Sequence, residues 1–374
     1  ADDVREAIKN IGFPVLIRPS YVLGGRGMEI LSNDKQVDAY LEEAYLAPDK
    51  PLLIDEYLGH ATELDVDAAA DGEQVLVGAI MEHLEQAGIH SGDSTCFIPT
   101  QNISQEMLKR VDEQTRIIGL KLKIKGCYNI QFAIQGDNLY CLEVNPRSSR
   151  TVPFVAKSTG LPMARIAARI TIGIPLSQQE IPRRTTGHVC VKAPVFPFIK
   201  LRGLDPAPGP EMKSTGEVFG SDTRADLAYL KARLATEIPV ATEGGAYLTV
   251  REEDKLDLIP IAQSLVDLNF TIFATPGTAD VLRKANIPVT TSYRIAERMH
   301  PDSLDLMRKG DVNFIVNVPT ISGGAVRDGN MMRRLAVELN IPFVTTMRGA
   351  VMEVAAMKAS MENILEPRHL EVHY

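Results

Sequence analysis

The stretch Asn129-Ile-Gln-Phe-Ala-Ile-Gln-Gly-Asp-Asn-Leu-Tyr-Cys-Leu-Glu-Val-Asn-Pro-Arg147 decides how the rest of this chain is read. Two apolar runs flank Gly136-Asp137-Asn138, a turn signal, so the segment predicts a β-hairpin centred near Asp137. With Asp137 as the midpoint, Gln131 and Glu143 face each other across the ladder, and Asn145, two residues beyond Glu143, shares their face. One carboxylate and two amide carbonyls, with no sulfur or imidazole among them, suit a hard cation such as Mg²⁺ that keeps waters and bridges to nucleotide phosphates. The same spacing also fits the plain polar face of an exposed hairpin, and spacing alone does not choose between the two.

Working outward, the whole chain is 374 residues long, which suggests two or three domains. With 45% hydrophobic and 24% charged residues, its composition is that of an ordinary globular protein. Acidic residues number 48 against 40 basic ones, a net charge of −8, so no global field draws in nucleic acid or an anionic membrane, and any anion site must be local. Cys96, Cys127, Cys141 and Cys190 lack CxxC spacing and fit buried core positions in a reducing compartment. No run of 18 apolar residues appears and the first residues have no signal-peptide pattern, so the expected location is the cytoplasm. The chain starts without Met on a helical pattern that runs into Phe13-Pro-Val-Leu-Ile-Arg18, and is expected to be part of something longer.

Upstream of the hairpin, Arg18-Pro-Ser-Tyr-Val-Leu-Gly-Gly-Arg26-Gly-Met-Glu-Ile-Leu reads as two apolar strands joined by a glycine-rich loop. Glycine lets backbone amides approach phosphates closely, and Arg18 and Arg26 put guanidinium forks where a polyphosphate would lie; a bare turn with solvated arginines is the alternative. Leu52-Leu-Ile-Asp-Glu56 is a strand that ends in acids. Glu63-Leu-Asp65-Val-Asp67 alternates, so its three acids share one face, as they would on a wet strand or beside a ribose diol or monovalent cation. His83-Leu-Glu85-Gln86-Ala-Gly-Ile-His90-Ser91-Gly-Asp93-Ser94 is a polar, glycine-broken loop without zinc-type spacing, and its histidines fit donors to an anion or a nucleotide. An amphipathic helix is expected over 103–122. Arg147 and Arg150, just past the last hairpin ligand, stand where cations would stabilise a transferring phosphoryl group, or form a basic turn.

Downstream, residues 191–235 carry Pro194, Pro197, Pro206, Pro208 and Pro210 and read as an extended connector with one helix, Thr223 to Leu234. Beyond Ala246 the short apolar runs at Tyr247, Phe270, Ile287, Phe314 and Pro342, separated mostly by helical patterns, predict a parallel α/β sheet. Thr275-Pro-Gly-Thr278 lies at the carboxyl end of one of those strands and opens a helix, offering hydroxyls and free amides to an anion, or simply capping the helix.

The segments Arg18-Pro-Ser-Tyr-Val-Leu-Gly-Gly-Arg, Glu82-His-Leu-Glu-Gln-Ala-Gly-Ile-His-Ser-Gly-Asp-Ser, Asn129-Ile-Gln-Phe-Ala and Glu143-Val-Asn-Pro-Arg-Ser-Ser-Arg together resemble the large subunit of carbamoyl phosphate synthetase, and the likeness runs the whole chain. It matches the second of that subunit's two ATP-grasp halves, because Gly209-Pro-Glu-Met-Lys-Ser-Thr-Gly-Glu-Val-Phe-Gly and a methylglyoxal-synthase-like part follow. The fold class implied is α/β and α+β: a partial ATP-grasp domain over 1–190, a connector over 191–236, and a Rossmann-like methylglyoxal-synthase-like domain over 237–374. The resemblance implies phosphorylation of carbamate by MgATP, with a glutamine amidotransferase small subunit as partner, an oligomeric parent enzyme, and pyrimidine or arginine synthesis as the destination.

By the same resemblance Gln131, Glu143 and Asn145 hold Mg²⁺ or Mn²⁺ and the triphosphate, Arg18 contacts phosphate, and Glu63 lies on the ribose side. Glu56, His83, Glu85, Gln86, His90 and Ser91 belong to the nucleotide's surroundings, where the family also holds K⁺, and Arg147 and Arg150 lie near carbamate and the γ-phosphate. A nucleotide effector such as UMP is implied at Lys255, Thr275, Thr278, Arg294, Asn317 and Thr320. Arg294 stands where the family commonly has lysine, and Pro319 replaces a hydroxyl residue. The other readings are another ATP-grasp carboxylate-amine or carboxylate-thiol ligase, which would lack the methylglyoxal-synthase-like part, and a non-catalytic nucleotide- or effector-binding module.

Overall fold

The computed structural model describes residues 2–20, 27–43, 51–182, 187–200, 203–319, 324–362 and 365. Helix α1 (Asp2–Ile11) precedes strands β1 (Val15–Pro19) and β2 (Glu29–Leu31), which are followed by α2 (Asp34–Glu43) and β3 (Leu52–Glu56). The three strands form an antiparallel sheet in the order β2-β1-β3. Its small core gathers Ile8, Val15, Ile17, Leu31, Val37 and Tyr40. The glycine-rich Gly24-Gly25 pair and Arg26 lie outside the described residues.

A larger antiparallel sheet carries the deciding hairpin. Strands β4 (Thr62–Ala70), β5 (Val75–Gln86) and β6 (Cys96–Ile98) come first, then helix α3 (Gln105–Lys121), the hairpin strands β7 (Gly126–Gln135) and β8 (Asn138–Asn145), and helices α4 (Val152–Thr159) and α5 (Met163–Thr171). The segment expected as an extended connector supplies β9 (Val189–Val195) and β10 (Gly216–Asp222) and then α6 (Ala225–Ala235). These two strands complete a seven-stranded sheet ordered β10-β9-β6-β5-β4-β7-β8, so β8 is an edge strand. Alternation along β4 sends Leu64, Val66, Ala68 and Ala70 to one face, where they pack with Val111, Tyr128, Ile130 and Phe132 under α3. Full burial of each large side chain contributes roughly 1.5–3 kcal/mol. Helix α3 starts where the Ser104 hydroxyl accepts the Met107 N–H. The opposite face packs Ala69, Met81, Cys96 and Cys127 against α4 and α5, and the polar residues of β4 share that face one turn of the pleat further along.

The remaining elements are β11 (Gly245–Thr249), α7 (Leu258–Asp267), β12 (Thr271–Ala274), α8 (Pro276–Lys284), β13 (Thr290–Thr291), α9 (Ser303–Lys309), β14 (Phe314–Asn317), α10 (Gly324–Glu338), β15 (Phe343–Val344) and α11 (Met347–Met361). Their five strands are all parallel, in the order β13-β12-β11-β14-β15, as the alternation of apolar runs and helical patterns led one to expect. Glu353 of α11, fully buried, accepts from Arg233 and Tyr229 of α6, and Ala356 and Ala359 join the α6 core, so the last helix is packed onto the seven-stranded unit.

Candidate functional site

The hairpin closes through a two-residue loop, with Gln135 paired to Asn138 and a positive φ of 58° at Gly136. Past a bulge between Gln131 and Phe132 the register places Gln131 opposite Glu143 and Asn129 opposite Asn145. Because β4 pairs with β7, the rows continue inward from Gln131 to Asp65 and from Asn129 to Asp67, with Glu63 opposite Ala133. One face of the sheet therefore carries a block of oxygen-bearing side chains, half-buried or exposed at the edge and fully buried towards the middle.

At the edge, Asn145 Nδ2 donates to Glu143 Oε1 at 2.7 Å, and Gln131 Nε2 donates to Ser91 Oγ at 2.9 Å. Deeper in, Asn129 Nδ2 bridges Asp65 Oδ1 (3.1 Å) and Asp67 Oδ1 (3.0 Å). Asp67 also accepts from Ser149 (2.7 Å) and Thr151 (2.6 Å). His83 is wedged between two acids, with Nδ1 3.9 Å from Glu63 and Nε2 3.6 Å from Asp65. The three acids are 1–2% exposed, so they do not form the wet strand face that alternation alone allows.

Burial sets the electrostatics. It pushes Glu63 up to about 7 despite the opposing influence of His83, and Asp67 up to about 6 despite its three hydrogen-bond donors. Asp65 is pushed up by burial too, but bonding to His83 and Asn129 and the charge of Lys192 more than offset this and leave it below the usual carboxylate range. His83 is pulled down by burial yet ends well above the ordinary value, because Cys96, Asp65 and Glu63 favour its protonated form. Burial lowers His90, whose Nδ1 accepts the Gly92 N–H at 3.0 Å.

The other predicted residues fall at varied distances from this block. Arg147 is exposed beside Asn145, its Nη2 3.5 Å from Asn145 Oδ1. Arg150 turns towards 212–214, with Nη2 donating to Ser214 Oγ at 3.3 Å. The Glu85 carboxylate, kept raised by burial, is occupied by the Thr95 N–H at 2.6 Å. Gln86 ends β5, paired with Thr62. Arg18, 3.7 Å from Asp55, and the exposed Glu56 sit on the three-stranded sheet. Among the described residues, no hydrogen bond or ion pair joins them to the hairpin.

Asp65 and Asp67 were read only as wet-face or ribose-side candidates, and the sequence did not single out Asn129, Ser149, Thr151 or Lys192, the last 1% exposed with Nζ donating to Ser91 O at 3.0 Å. A lysine inside the apolar run Val189-Cys-Val-Lys192-Ala was the one visible signal for it.

At the carboxyl edge of the parallel sheet, Thr275 stands at the N-cap position of α8 without a side-chain capping bond, and its hydroxyl lies 3.4 Å from that of Thr278. Lys255 Nζ would be 3.0 Å from a Cβ on Gly277, and Asn317 ends β14. Arg294 is exposed, and Thr320 lies outside the described residues.

Residues 1–179 match the family model described as the carbamoyl-phosphate synthase L chain, ATP binding domain, and residues 257–345 match the MGS-like domain. A carbamoyl phosphate synthase large chain from Methanosarcina barkeri is 44% identical over 355 residues, covering 94% of this chain and 89% of its own length. The chain belongs to the carbamoyl phosphate synthase large-chain family. The C-terminal section of the Methanocaldococcus jannaschii large chain is also 44% identical, over 96% of this chain and 60% of that protein. Longer large chains match as well, and this chain spans 33–35% of their length. In fold, the chain resembles the biotin carboxylase domain of the Hydrogenobacter thermophilus 2-oxoglutarate carboxylase, solved with MgADP and bicarbonate. The TM-score is 0.51 at 17% identity, over 63% of this chain and 59% of that one. The N-terminal part is thus an ATP-grasp ligase domain and the C-terminal part an MGS-like domain. No helix among the described residues is long and apolar enough to cross a membrane.

Proposed function

We propose that this chain carries the carbamate-phosphorylating half of a carbamoyl phosphate synthetase, with an effector-binding domain at its C-terminal end. The observation that carries the reading is the register pairing of Gln131 with Glu143, with Asn145 bonded to Glu143, on the accessible edge of the seven-stranded sheet. The donor chemistry fits Mg²⁺ or Mn²⁺: one carboxylate and two amides present hard oxygens, and among the described residues the hydrogen bonds accepted by Glu143 and Asn145 come from Asn145 and Arg147. Bound there, the cation would neutralise charge on the triphosphate.

The residues of the chain supply the rest. A carbamate oxygen forms a bond to the γ-phosphorus as the bond from that phosphorus to the β–γ bridging oxygen breaks and ADP leaves. Arg147 lies beside Asn145 and stabilises charge on the equatorial oxygens, while Arg150 is held by Ser214 at the rim. Arg18 and Glu56 approach the nucleotide from the three-stranded sheet, and Glu63, His83, Glu85, Gln86, His90 and Ser91 shape its surroundings and a K⁺ site. Carbamate decomposes in water, so the site must exclude solvent. UMP or a related nucleotide is read at Lys255, Thr275, Thr278, Arg294, Asn317 and Thr320. A glutamine amidotransferase subunit and a second ATP-grasp half would complete the parent, oligomeric enzyme. A cytoplasmic setting agrees with four unpaired cysteines.

The deciding experiment incubates the purified chain with carbamoyl phosphate and MgADP and measures ATP. ATP formation supports the reading. Tight MgADP binding with no ATP formed rejects catalysis by this chain and leaves a nucleotide-binding module.

A further inference from the structure

Arg333 in α10 is 1% exposed and ranks among the largest side chains fully removed from water. Its Nη1 donates to Asn317 Oδ1 at the end of β14, while Nε and Nη2 form a fork onto the two oxygens of Asp205, with Nε 2.8 Å from Oδ1. Gly329, one turn earlier, admits the guanidinium, since a Cβ there would lie 2.9 Å from Nη1 and 3.2 Å from Asn317 Oδ1. A glycine inside a helix is unfavourable, which makes this close approach the physical reason for it.

From Asp205 the bonds continue towards the hairpin. Lys213 Nζ donates to the carbonyls of Asp205 (3.0 Å) and Ala207 (2.6 Å). The N–H groups of Lys213 and Ser214 donate to the two oxygens of the fully buried Asp93, at 2.8 and 2.9 Å. Ser214 Oγ donates to Gly92 O at 2.9 Å, and the His90 N–H donates to Gly209 O at 2.8 Å. The loop so held carries Ser91, which accepts from Gln131.

We propose that Asp205 and Arg333 are positioning residues that brace the His90–Ser94 loop and link it to Asn317 at the carboxyl edge of the parallel sheet. This inference rests on the nucleotide and effector readings given above. A planar guanidinium fork on a carboxylate is held at two points, and losing one partner strands a buried charge, so the contact is kept or broken as a unit. Such a two-arrangement element is what coupling between distant sites requires. A ligand that takes up Asn317 changes the partner left to Nη1 and so biases the fork on Asp205.

The test uses the full chain. MgADP affinity is measured by calorimetry with and without saturating UMP, and amide exchange is followed over 90–94 and 205–214, in the wild type, Asp205→Asn and Gly329→Ala, with thermal melts to establish folding. In the wild type UMP changes the MgADP dissociation constant by about fivefold or more. In Asp205→Asn that factor falls to within about twofold of unity while both ligands still bind, and exchange rises over both segments. Gly329→Ala, which displaces the guanidinium without removing charge, moves both readouts the same way. Wild-type coupling retained in Asp205→Asn, or no coupling in a wild type that binds both ligands, overturns the proposal. If UMP does not bind the wild type, the effector reading fails, and unchanged exchange over 90–94 in Asp205→Asn overturns the link on its own.

Discussion

Replacing Glu143 by alanine separates a metal ligand from a surface acid, because the structure assigns that carboxylate almost no structural duty. It is exposed on the edge strand, and the hydrogen bond it accepts comes from Asn145 two residues away. Surface substitutions of this kind usually change stability by less than about 0.5 kcal/mol, which in a protein of this size moves the melting temperature by less than about 1 °C. The binding cost should be far larger. Glu143 is the charged member of the Gln131–Glu143–Asn145 group, and even residues that merely orient metal ligands cost about 10–100-fold when lost. Loss of a direct carboxylate ligand is expected to weaken MgADP by about 100-fold or more, near 2.7 kcal/mol. Calorimetric titration with MgADP and with ADP in EDTA measures both species, and Glu143→Gln, which keeps shape but not charge, should recover only part of the loss. An MgADP affinity within about threefold of wild type would refute the metal assignment. So would an equal loss for metal-free ADP, which would indicate a direct role in nucleotide packing.

Three further outcomes follow from the geometry. Glu63 and Asp67 bind protons more tightly folded than unfolded, and so does His83, so stability should fall as pH rises from about 4 to above 7. Urea midpoints at pH 5 and pH 8 should differ less in Glu63→Gln than in wild type, and an unaltered difference would count against the buried cluster. Gly220→Ala drives a methyl to 2.2 Å from Ala228 O and 2.5 Å from Ala232 N, prising β10 from α6. A loss of about 1–3 kcal/mol is expected in denaturant unfolding, and none would mean the strand and helix are not in close contact. Cys141 is the exposed cysteine while Cys96, Cys127 and Cys190 are buried. Thiol titration should find one reactive group folded and four unfolded, with the folded one slowed at pH 8 because partial burial raises its thiol.

The hairpin was legible because a glycine-containing turn between alternating runs fixes both register and face. Even so, the pairing of Gln131 with Glu143 arises differently from the simple count. The loop is Gly136-Asp137 alone, which by itself would put Leu142 opposite Gln131, and a bulge restores Glu143 to that position. The parallel sheet was legible for a similar reason, since short apolar runs between helical patterns leave few arrangements. Position within a sheet was not. Glu63, Asp65 and Asp67 could not be told from a wet face until β4 was seen between β5 and β7, where they are shut off from water. Residues 191–195, read as the start of the connector because of the prolines there, belong to the interior strand Val189–Val195, which carries Lys192 into the polar block.

The arrangement also explains why the accessible edge, and not the acid-rich centre, is where a cation should be sought. Asp67 is occupied by three donors, and Asp65 accepts from Asn129 with His83 Nε2 3.6 Å away, so both carboxylates are already engaged in the folded chain. Glu63 is buried beside His83, 3.9 Å from its Nδ1, and burial raises its affinity for its proton. The Gln131 side-chain oxygen and the Glu143 carboxylate lie further out, with Gln131 anchored through its nitrogen on Ser91 and Glu143 through Asn145. The buried acids thus bear on the edge indirectly: they orient Asn129 and hold His83 behind Gln131 and Glu143, while the oxygens proposed to hold the cation stand on the accessible edge strand pair.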